Sequence, residues 1–216
     1  MNPLNAIGML FQEPETGNPI FCGTAFSYLS PNIFITAAHC VSNTEIGYTL
    51  ILGRLPYGAD IETIIRHENA DIAIIKTRQN FVLAFSPFDE ISNQYGLGIT
   101  FNSFGFPEDC SLNSQSKPTE RLFVGYFQRF FTHNSHMGYS YDAAELNISC
   151  PVGLSGSPLF IRETPNVIYG IVCENIEVST ELREEEIESK PSGTEKYIYR
   201  KVITYGIALL LAPYEE

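Results

Sequence analysis

Residues 150–160 read CPVGLSGSPLF, a stretch in which Ser155 lies two positions after Gly153 and directly before Gly156. Glycine adopts backbone angles that other residues avoid, so this spacing predicts a tight turn. The stretch alone leaves two interpretations of Ser155 open, a turn residue or a reaction centre, and the rest of the chain has to decide between them.

The composition predicts a folded globular protein. The chain has 216 residues, of which 44% are hydrophobic and 18% charged, and its 15 Phe and 12 Tyr can fill a substantial core. This length fits one large domain or two small lobes. The net charge of −12 argues against nucleic acid or an anionic membrane surface as the main partner, because both attract basic patches. A preference for basic partners and simple solubility both remain as explanations of the charge.

Neither a membrane span nor a signal peptide is visible in the sequence. The most apolar run, VITYGIALLLAP (202–213), is too short to cross a bilayer. The N-terminus lacks a basic region followed by a long apolar one. We therefore expect a cytoplasmic protein whose thiols are reduced.

The metal-binding residue types do not form a recognised pattern. The five cysteines, at 22, 40, 110, 150 and 173, are an odd number, so at least one is unpaired within the chain, and no CxxC pair exists. The HxxH pair in HNSH (133–136) has no nearby Glu or Cys pattern to complete a zinc site, and the stretch is typical of a polar loop. The sequence predicts no metal and no cofactor.

Short apolar and β-branched runs, bounded by Gly, Pro, Asn and Asp, dominate the chain. Runs of this size predict the strands of an all-β sandwich or barrel. Examples of such runs lie at residues 20–29, 32–38, 48–54, 71–77, 98–106, 121–132, 157–161, 166–173 and 197–209. TAAHCVSN (36–43) has room for one helical turn. The loose stretch 85–96 predicts a connection between two halves, and the charged stretch 176–196 is typical of a solvated loop.

Three residue types that serine catalysis needs occur in distinctive surroundings. The chemistry requires a base, a carboxylate that orients the base, and backbone amides that meet the oxyanion. His39, in ITAAHC, follows two small residues at the end of an apolar run. Asp71 stands directly before the apolar run IAII, where a carboxylate is partly desolvated and aimed at one partner. A local turn bond is the competing role for Asp71.

Three motifs together resemble a known family. TAAHC (36–40), ADIAIIK (70–76) and GLSGSP (153–158), in this order, resemble the signatures of chymotrypsin-fold (trypsin-like) serine peptidases. The resemblance extends over roughly residues 18 to 210. It implies an all-β fold of two six-stranded antiparallel Greek-key β-barrels with the active site in the cleft between them. The N-terminal barrel would comprise residues 1–90 and the C-terminal barrel residues 91–216.

The resemblance also implies roles for individual residues. His39 would be the general base and acid, Asp71 its orienting carboxylate, and Ser155 the nucleophile that forms an acyl-enzyme. The amides of Gly153 and Ser155 would form the oxyanion hole. The protein would then be a serine endopeptidase acting on a protein or peptide. Two alternatives are a catalytically silent binding module with the same fold, and a protease held inactive until a regulatory protein partner orders its loops.

One position departs from the digestive members of the family. They carry an aspartate before the nucleophile that pairs with a new N-terminus after zymogen cleavage, whereas this chain has Leu154. No basic residue followed by an IVGG-like start occurs before residue 20. We therefore expect no proteolytic activation. YDAAELNISCPVGLSGSP (141–158) is closer in style to the intracellular and bacterial branches, such as the Do-like heat-shock proteases.

The specificity pocket follows from the same resemblance. Ser149 would lie at its floor, and the remaining substrate-binding residues would be Cys150, Val152, Val172, Cys173 and Glu174. No charged residue lies at the floor, so we expect a neutral, small to medium apolar residue before the cut. Glu174 and the acidic 181–189 segment would favour basic residues further out, and this insertion is also placed to act as a lid. Cys22 with Cys40, and Cys150 with Cys173, are either bonded or free.

Overall fold

The computed structural model describes residues 6–43, 46–52, 58–81, 85–87, 96–108, 119–162, 164–189 and 193–211, with residues 86, 87, 180–189 and 193–200 described by their backbone alone. Strands make up nearly all of the regular structure, in agreement with the predicted all-β class. Each of the strand-sized runs named from the sequence contains a strand, and a 3-10 turn at Ala38–Val41 occupies the predicted helical position.

The first sheet is built from the N-terminal part of the chain. Its strands are β1 (Ile7–Glu13), β2 (Ile20–Ser27), β3 (Ile33–Thr36), β4 (Gly47–Leu52), β5 (Gly58–Ala59), β6 (Ile61–Arg66) and β7 (Ala73–Thr77). Their order is β5-β4-β1-β2-β3-β7-β6, and every pairing is antiparallel. The sheet thus has the six expected strands and the two-residue strand β5. Sequence patterns missed β1, although it lies at the centre of the sheet.

The second sheet closes into a barrel. Its strands are β8 (Ser86–Pro87), β9 (Thr100–Gly105), β10 (Arg121–Asn134), β11 (Ser140–Leu146), β12 (Pro158–Ile161), β13 (Thr164–Ser189) and β14 (Gly193–Leu210). The order is β12-β9-β10-β11-β14-β13-β8, and an additional pairing of β12 with β13 completes the ring. Only the two-residue β8 pairs in parallel, with β13, among the described strands of this sheet. The predicted domain boundary at 90/91 lies outside the described residues.

The charged stretch 176–196 is not the predicted loop. Most of it belongs to a long hairpin in which β13 and β14 pair from Gly170↔Leu210 to Ser189↔Gly193. The register places Val178 opposite Ile203 and Glu186 opposite Lys196. Apolar and opposite-charge pairs across a ladder stabilise a two-stranded ribbon. The prediction failed because the partner residues come from the following strand, beyond the range of a local charge pattern.

Three hydrophobic clusters result from strands that bury both faces. Along β1, Leu10 packs inside the first sheet, whereas Ile7 and Met9 pack into a cluster shared with residues of the second sheet. Successive side chains of a strand point to opposite faces, which explains this division. A third cluster fills the second barrel around Phe101 and Phe127. The shared cluster joins the two sheets, and the predicted catalytic residues lie beside it.

Candidate active site

His39 and Asp71 are held together by two hydrogen bonds. His39 lies in the 3-10 turn after β3, following the fully buried Ala37 and Ala38. Its ring Nδ1 is 2.7 Å from Asp71 Oδ2, and its backbone N–H donates to Asp71 Oδ1 at 2.9 Å. Asp71 precedes β7 and is 0% exposed. Because Asp71 fixes Nδ1, Nε2 is the ring nitrogen left to accept a proton.

The surroundings of His39 change its basicity. Burial lowers the pKa of the imidazole, but hydrogen bonds with Asp71 and Cys40 and the charges of the same two groups outweigh burial and raise the pKa to about 10. The side chain keeps 26% exposure, so the ring is in contact with solvent. The Asp71 carboxylate therefore favours the protonated form of the imidazole.

The turn at residues 153–156, called the nucleophile turn after the predicted role of Ser155, has the geometry that its glycines predict. Gly153 has φ +89° and Gly156 has φ +84°, values that favour glycine. A Cβ on Gly153 would lie 2.5 Å from Phe21 Cε1 and 2.6 Å from the carbonyl oxygen of Phe106. Within the described part of the chain, the Gly153 and Ser155 amides donate no hydrogen bond. Both are thus available to an incoming anionic oxygen.

Thr24, on β2, fastens this turn to the first sheet. Its backbone N–H donates to the Ser155 carbonyl at 2.9 Å, and its hydroxyl donates to the Gly153 carbonyl at 2.9 Å. The same hydroxyl accepts the Phe106 N–H at 3.1 Å. Thr24 is fully buried. Sequence reasoning missed this residue, because nothing local in GTAFSYL distinguishes it from other strand threonines.

The Ser155 hydroxyl points towards β13 in the resting structure. Its Oγ donates to the Cys173 carbonyl at 3.1 Å, and among the described residues it makes no bond to His39. Leu154, the residue before Ser155, is 0% exposed and packs in the core of the second barrel. The hydrogen bond described for the Ser155 hydroxyl therefore goes to β13 rather than to His39.

The predicted pocket residues differ in their placement. Ser149 and Val152 are exposed, Val152 by 73%, whereas Val172 is buried in the second-barrel core. Cys150 is also buried, and a Cβ on Gly206 would lie 2.3 Å from its thiol. The structure therefore puts the Cys150 side chain, rather than that of Ser149, in the interior.

Two walls of the predicted pocket are joined by an amide side chain. Asn175 Oδ1 accepts the Cys150 N–H at 2.7 Å, and its Nδ2 donates to the Cys150 carbonyl at 2.6 Å. This pair of bonds holds the residues before the nucleophile turn against β13. Asn175 had no sequence signal, because its partner lies 25 positions away.

The described cysteines are free thiols: Cys22, Cys40, Cys150 and Cys173. Burial raises the pKa of Cys150 to about 12 and also raises that of Cys173, which keeps both thiols neutral. Cys173 Sγ lies 3.7 Å from the Asp71 backbone carbonyl, so this thiol contacts the residue that binds the His39 ring.

Comparisons of the sequence find no relative, since no protein-family model and no curated protein matches it. Solved structures do match. The HtrA-type protease AlgW with a decapeptide aligns with a TM-score of 0.64 at 13% identity, over 96% of this chain and 61% of that one. The active form of the Rv3671c protease from M. tuberculosis aligns with a TM-score of 0.64 at 14% identity, over 97% and 77%. The chain therefore has the fold of trypsin-like serine proteases, and it spans less than two thirds of AlgW.

The described residues lack both membrane-spanning helices and metal-binding clusters. They contain no helix with the length and apolar character needed to span a bilayer. They also contain no group of three or more His, Cys, Asp or Glu side chains placed to hold a metal ion.

Proposed function

We propose that the protein is a serine endopeptidase that uses His39, Asp71 and Ser155. The observation that carries the proposal is the His39 imidazole bound to a fully buried Asp71 carboxylate, beside a nucleophile turn tied to the same sheet by Thr24. Burying a carboxylate costs free energy unless the charge is paired. Both hydrogen bonds that the structure describes for the Asp71 carboxylate are with His39, and such a pair is typical of functional sites.

The proposed reaction begins when substrate binds along β13. The backbone N–H of the substrate residue before the scissile bond donates to the Cys173 carbonyl and replaces the Ser155 hydroxyl there. Ser155 Oγ then donates to His39 Nε2. In its neutral form His39 accepts the hydroxyl proton while Oγ attacks the peptide carbonyl, and the Gly153 and Ser155 amides stabilise the oxyanion. His39 then gives its proton to the leaving amine, which breaks the peptide bond and leaves the acyl-enzyme. Water hydrolyses the acyl-enzyme by the same route, and Asp71 stays ionised throughout.

Further features of the proposal follow from the nucleophile turn and the comparisons. Leu154 packs in an apolar core, so the turn does not depend on an ion pair with a processed N-terminus. The AlgW structures hold a decapeptide or a tripeptide, which supports a peptide as the substrate here. A cytoplasmic location and a regulatory partner remain predictions from the sequence.

A fluorophosphonate probe tests the proposal directly. The wild-type protein should be labelled at Ser155 and should cleave peptides, whereas Ser155→Ala should do neither. Ser157→Ala is a matched control in the same turn, because the buried Ser157 hydroxyl has no hydrogen-bond partner among the described residues. Labelling that persists in Ser155→Ala, or that is absent from the wild type at every pH tested, would refute the assignment.

A second candidate function is a binding module that does not cleave. The Ser155 bond to Cys173, in place of one to His39, favours it. In that case unlabelled wild-type protein and Ser155→Ala should bind the same peptides equally well.

A further inference from the structure

Glu174 is the centre of a polar cluster outside the candidate triad. Its Oε1 is 2.5 Å from His133 Nε2 and accepts the Tyr141 hydroxyl at 3.3 Å. Its Oε2 is 3.2 Å from His136 Nδ1. The Glu174 side chain is only 12% exposed. Sequence reasoning had assigned HNSH (133–136) to a polar loop, but His133 belongs to β10 and is buried.

The two carboxylate oxygens of Glu174 have partners that differ in burial. The His133 side chain is 11% exposed, and its ring packs edge-on against Phe131 and Tyr141 at centroid distances of 5.7 and 5.5 Å. The His136 side chain is 79% exposed, in the connection between β10 and β11. Oε1 is therefore held by packed rings, whereas Oε2 is covered by a side chain that can move into solvent.

Glu174 directly follows Cys173, the residue whose carbonyl binds the substrate in the proposed reaction. The Cys173 carbonyl is 3.1 Å from Ser155 Oγ, and Glu174 is the adjacent residue on β13. A substrate strand that pairs antiparallel with β13 places the residue before the cut opposite Cys173, and the second residue before the cut opposite Glu174. Directly opposed residues of an antiparallel pair share a face, with Cβ atoms about 4.5–5.5 Å apart. A long side chain at that second position reaches Oε2.

We propose that Glu174 is a specificity-determining residue that binds Lys or Arg at the second position before the scissile bond. The inference rests on the proposed function, because it assumes cleavage by Ser155. The cation displaces His136 from Oε2, while His133 and Tyr141 keep Oε1 in place. Glu174 Oε2 loses its contact with the exposed His136 ring and gains a charge-assisted hydrogen bond from the substrate cation.

A peptide series tests the inference. Four peptides differ only at the second position before the cut, with Arg, its neutral isostere citrulline, Ala or Glu. The ratio of kcat/KM for Arg over citrulline should be about tenfold to a hundredfold in the wild type, the range expected for a hydrogen bond between charged groups. Glu174→Gln should bring the ratio close to one. Glu177→Gln is the matched control, an exposed glutamate three positions further along the same strand, and it should keep the wild-type ratio.

Two further measurements keep a folding defect from deciding the result. His136→Ala changes only an exposed side chain and removes the competing group, so it should raise kcat/KM for the Arg peptide about two- to fivefold. Binding of the Arg and citrulline peptides to Ser155→Ala, followed by fluorescence anisotropy, needs no catalysis and should show the same preference.

The outcomes separate the two proposals. Cleavage with an Arg to citrulline ratio near one, a ratio unchanged in Glu174→Gln, a preference for the Glu peptide, or weaker cleavage of the Arg peptide by His136→Ala each overturns the role of Glu174. Absence of labelling and cleavage in the wild type overturns the endopeptidase. Selective binding of the Arg peptide by Ser155→Ala would then still support a cation site at Glu174.

Discussion

The Thr24 hydroxyl is predicted to support both the stability of the protein and the shape of the nucleophile turn. Thr24→Val keeps the volume of the side chain but removes the donor to the Gly153 carbonyl and the acceptor of the Phe106 N–H. Each buried polar group left unpaired costs about 1–3 kcal/mol. The free energy of unfolding should therefore fall by about 2–6 kcal/mol, a large part of the total for a typical domain.

The same substitution should slow chemistry at Ser155. Without its anchor, the Gly153 peptide unit can turn its amide away from the oxyanion position. A misplacement of about 1 Å costs on the order of 100-fold in rate, so fluorophosphonate labelling should slow by roughly that factor.

Urea unfolding and labelling kinetics measure the two effects of Thr24→Val. Thr36→Val is the matched control, because the buried Thr36 hydroxyl donates one bond, to the Thr24 carbonyl at 2.8 Å. It should cost only about 1–3 kcal/mol and should slow labelling much less. If Thr24→Val unfolds at the wild-type urea concentration and is labelled at the wild-type rate, the hydroxyl does not hold the turn and this reasoning is wrong.

Three other predictions concern the turn and the base. Leu154→Asp, which introduces the residue of the digestive enzymes into an apolar core, should lower the unfolding free energy by about 3–5 kcal/mol in urea. Gly153→Ala should destabilise the protein more than Gly138→Ala, because both glycines have positive φ but only Gly153 lacks room for a Cβ. Labelling of Ser155 should rise from pH 7 towards 10, since His39 accepts a proton only when neutral. Asp71→Asn should move that inflection to lower pH and slow labelling.

Each of these three predictions has its own control or contrary outcome. Leu154→Met, which nearly conserves volume, should cost less than about 1.5 kcal/mol, and an equally stable Leu154→Asp would show that the turn tolerates a charge. Equal losses for the two glycine variants would mean that backbone strain alone matters. A labelling rate that is flat with pH would contradict the raised pKa of His39.

The raised pKa of His39 also predicts the pH dependence of stability. The folded value, about 10, lies above the ordinary value of 6.5. The His39–Asp71 pair therefore stabilises the fold fully below about pH 6.5, and this contribution is lost as the pH rises through 10. Urea unfolding at pH 6 and pH 10 should show a larger decrease for the wild type than for Asp71→Asn.

Several features were predictable because their causes are local. The strand-sized apolar runs correspond to strands in the structure, and the glycines around Ser155 predict the turn that their positive φ angles now describe. The small residues before His39 lead into the short 3-10 turn. The order of the three motifs indicated the fold that the solved structures share.

Other features depend on contacts between distant parts of the chain. β1 lies between β2 and β4 because its two faces fill two different clusters, which no local pattern indicates. The charged stretch 176–196 is mostly a ribbon because of its partner strand, and His133 is buried because Tyr141 and Glu174 meet it there.

The sequence by itself determined which residues have the chemistry for a base, a carboxylate and a nucleophile, since His39, Asp71 and Ser155 each occur in a short motif. Only the tertiary structure decided what holds and surrounds them. The Thr24 hydroxyl reaches Gly153 across 129 positions, and Asp71 reaches His39 across 32. The Thr24 bond depends on how the two sheets pack, and the Asp71 bond depends on the pairing of β3 with β7. Neither is local, because hydrogen bonding and burial act over a few ångströms in space whatever the separation in sequence.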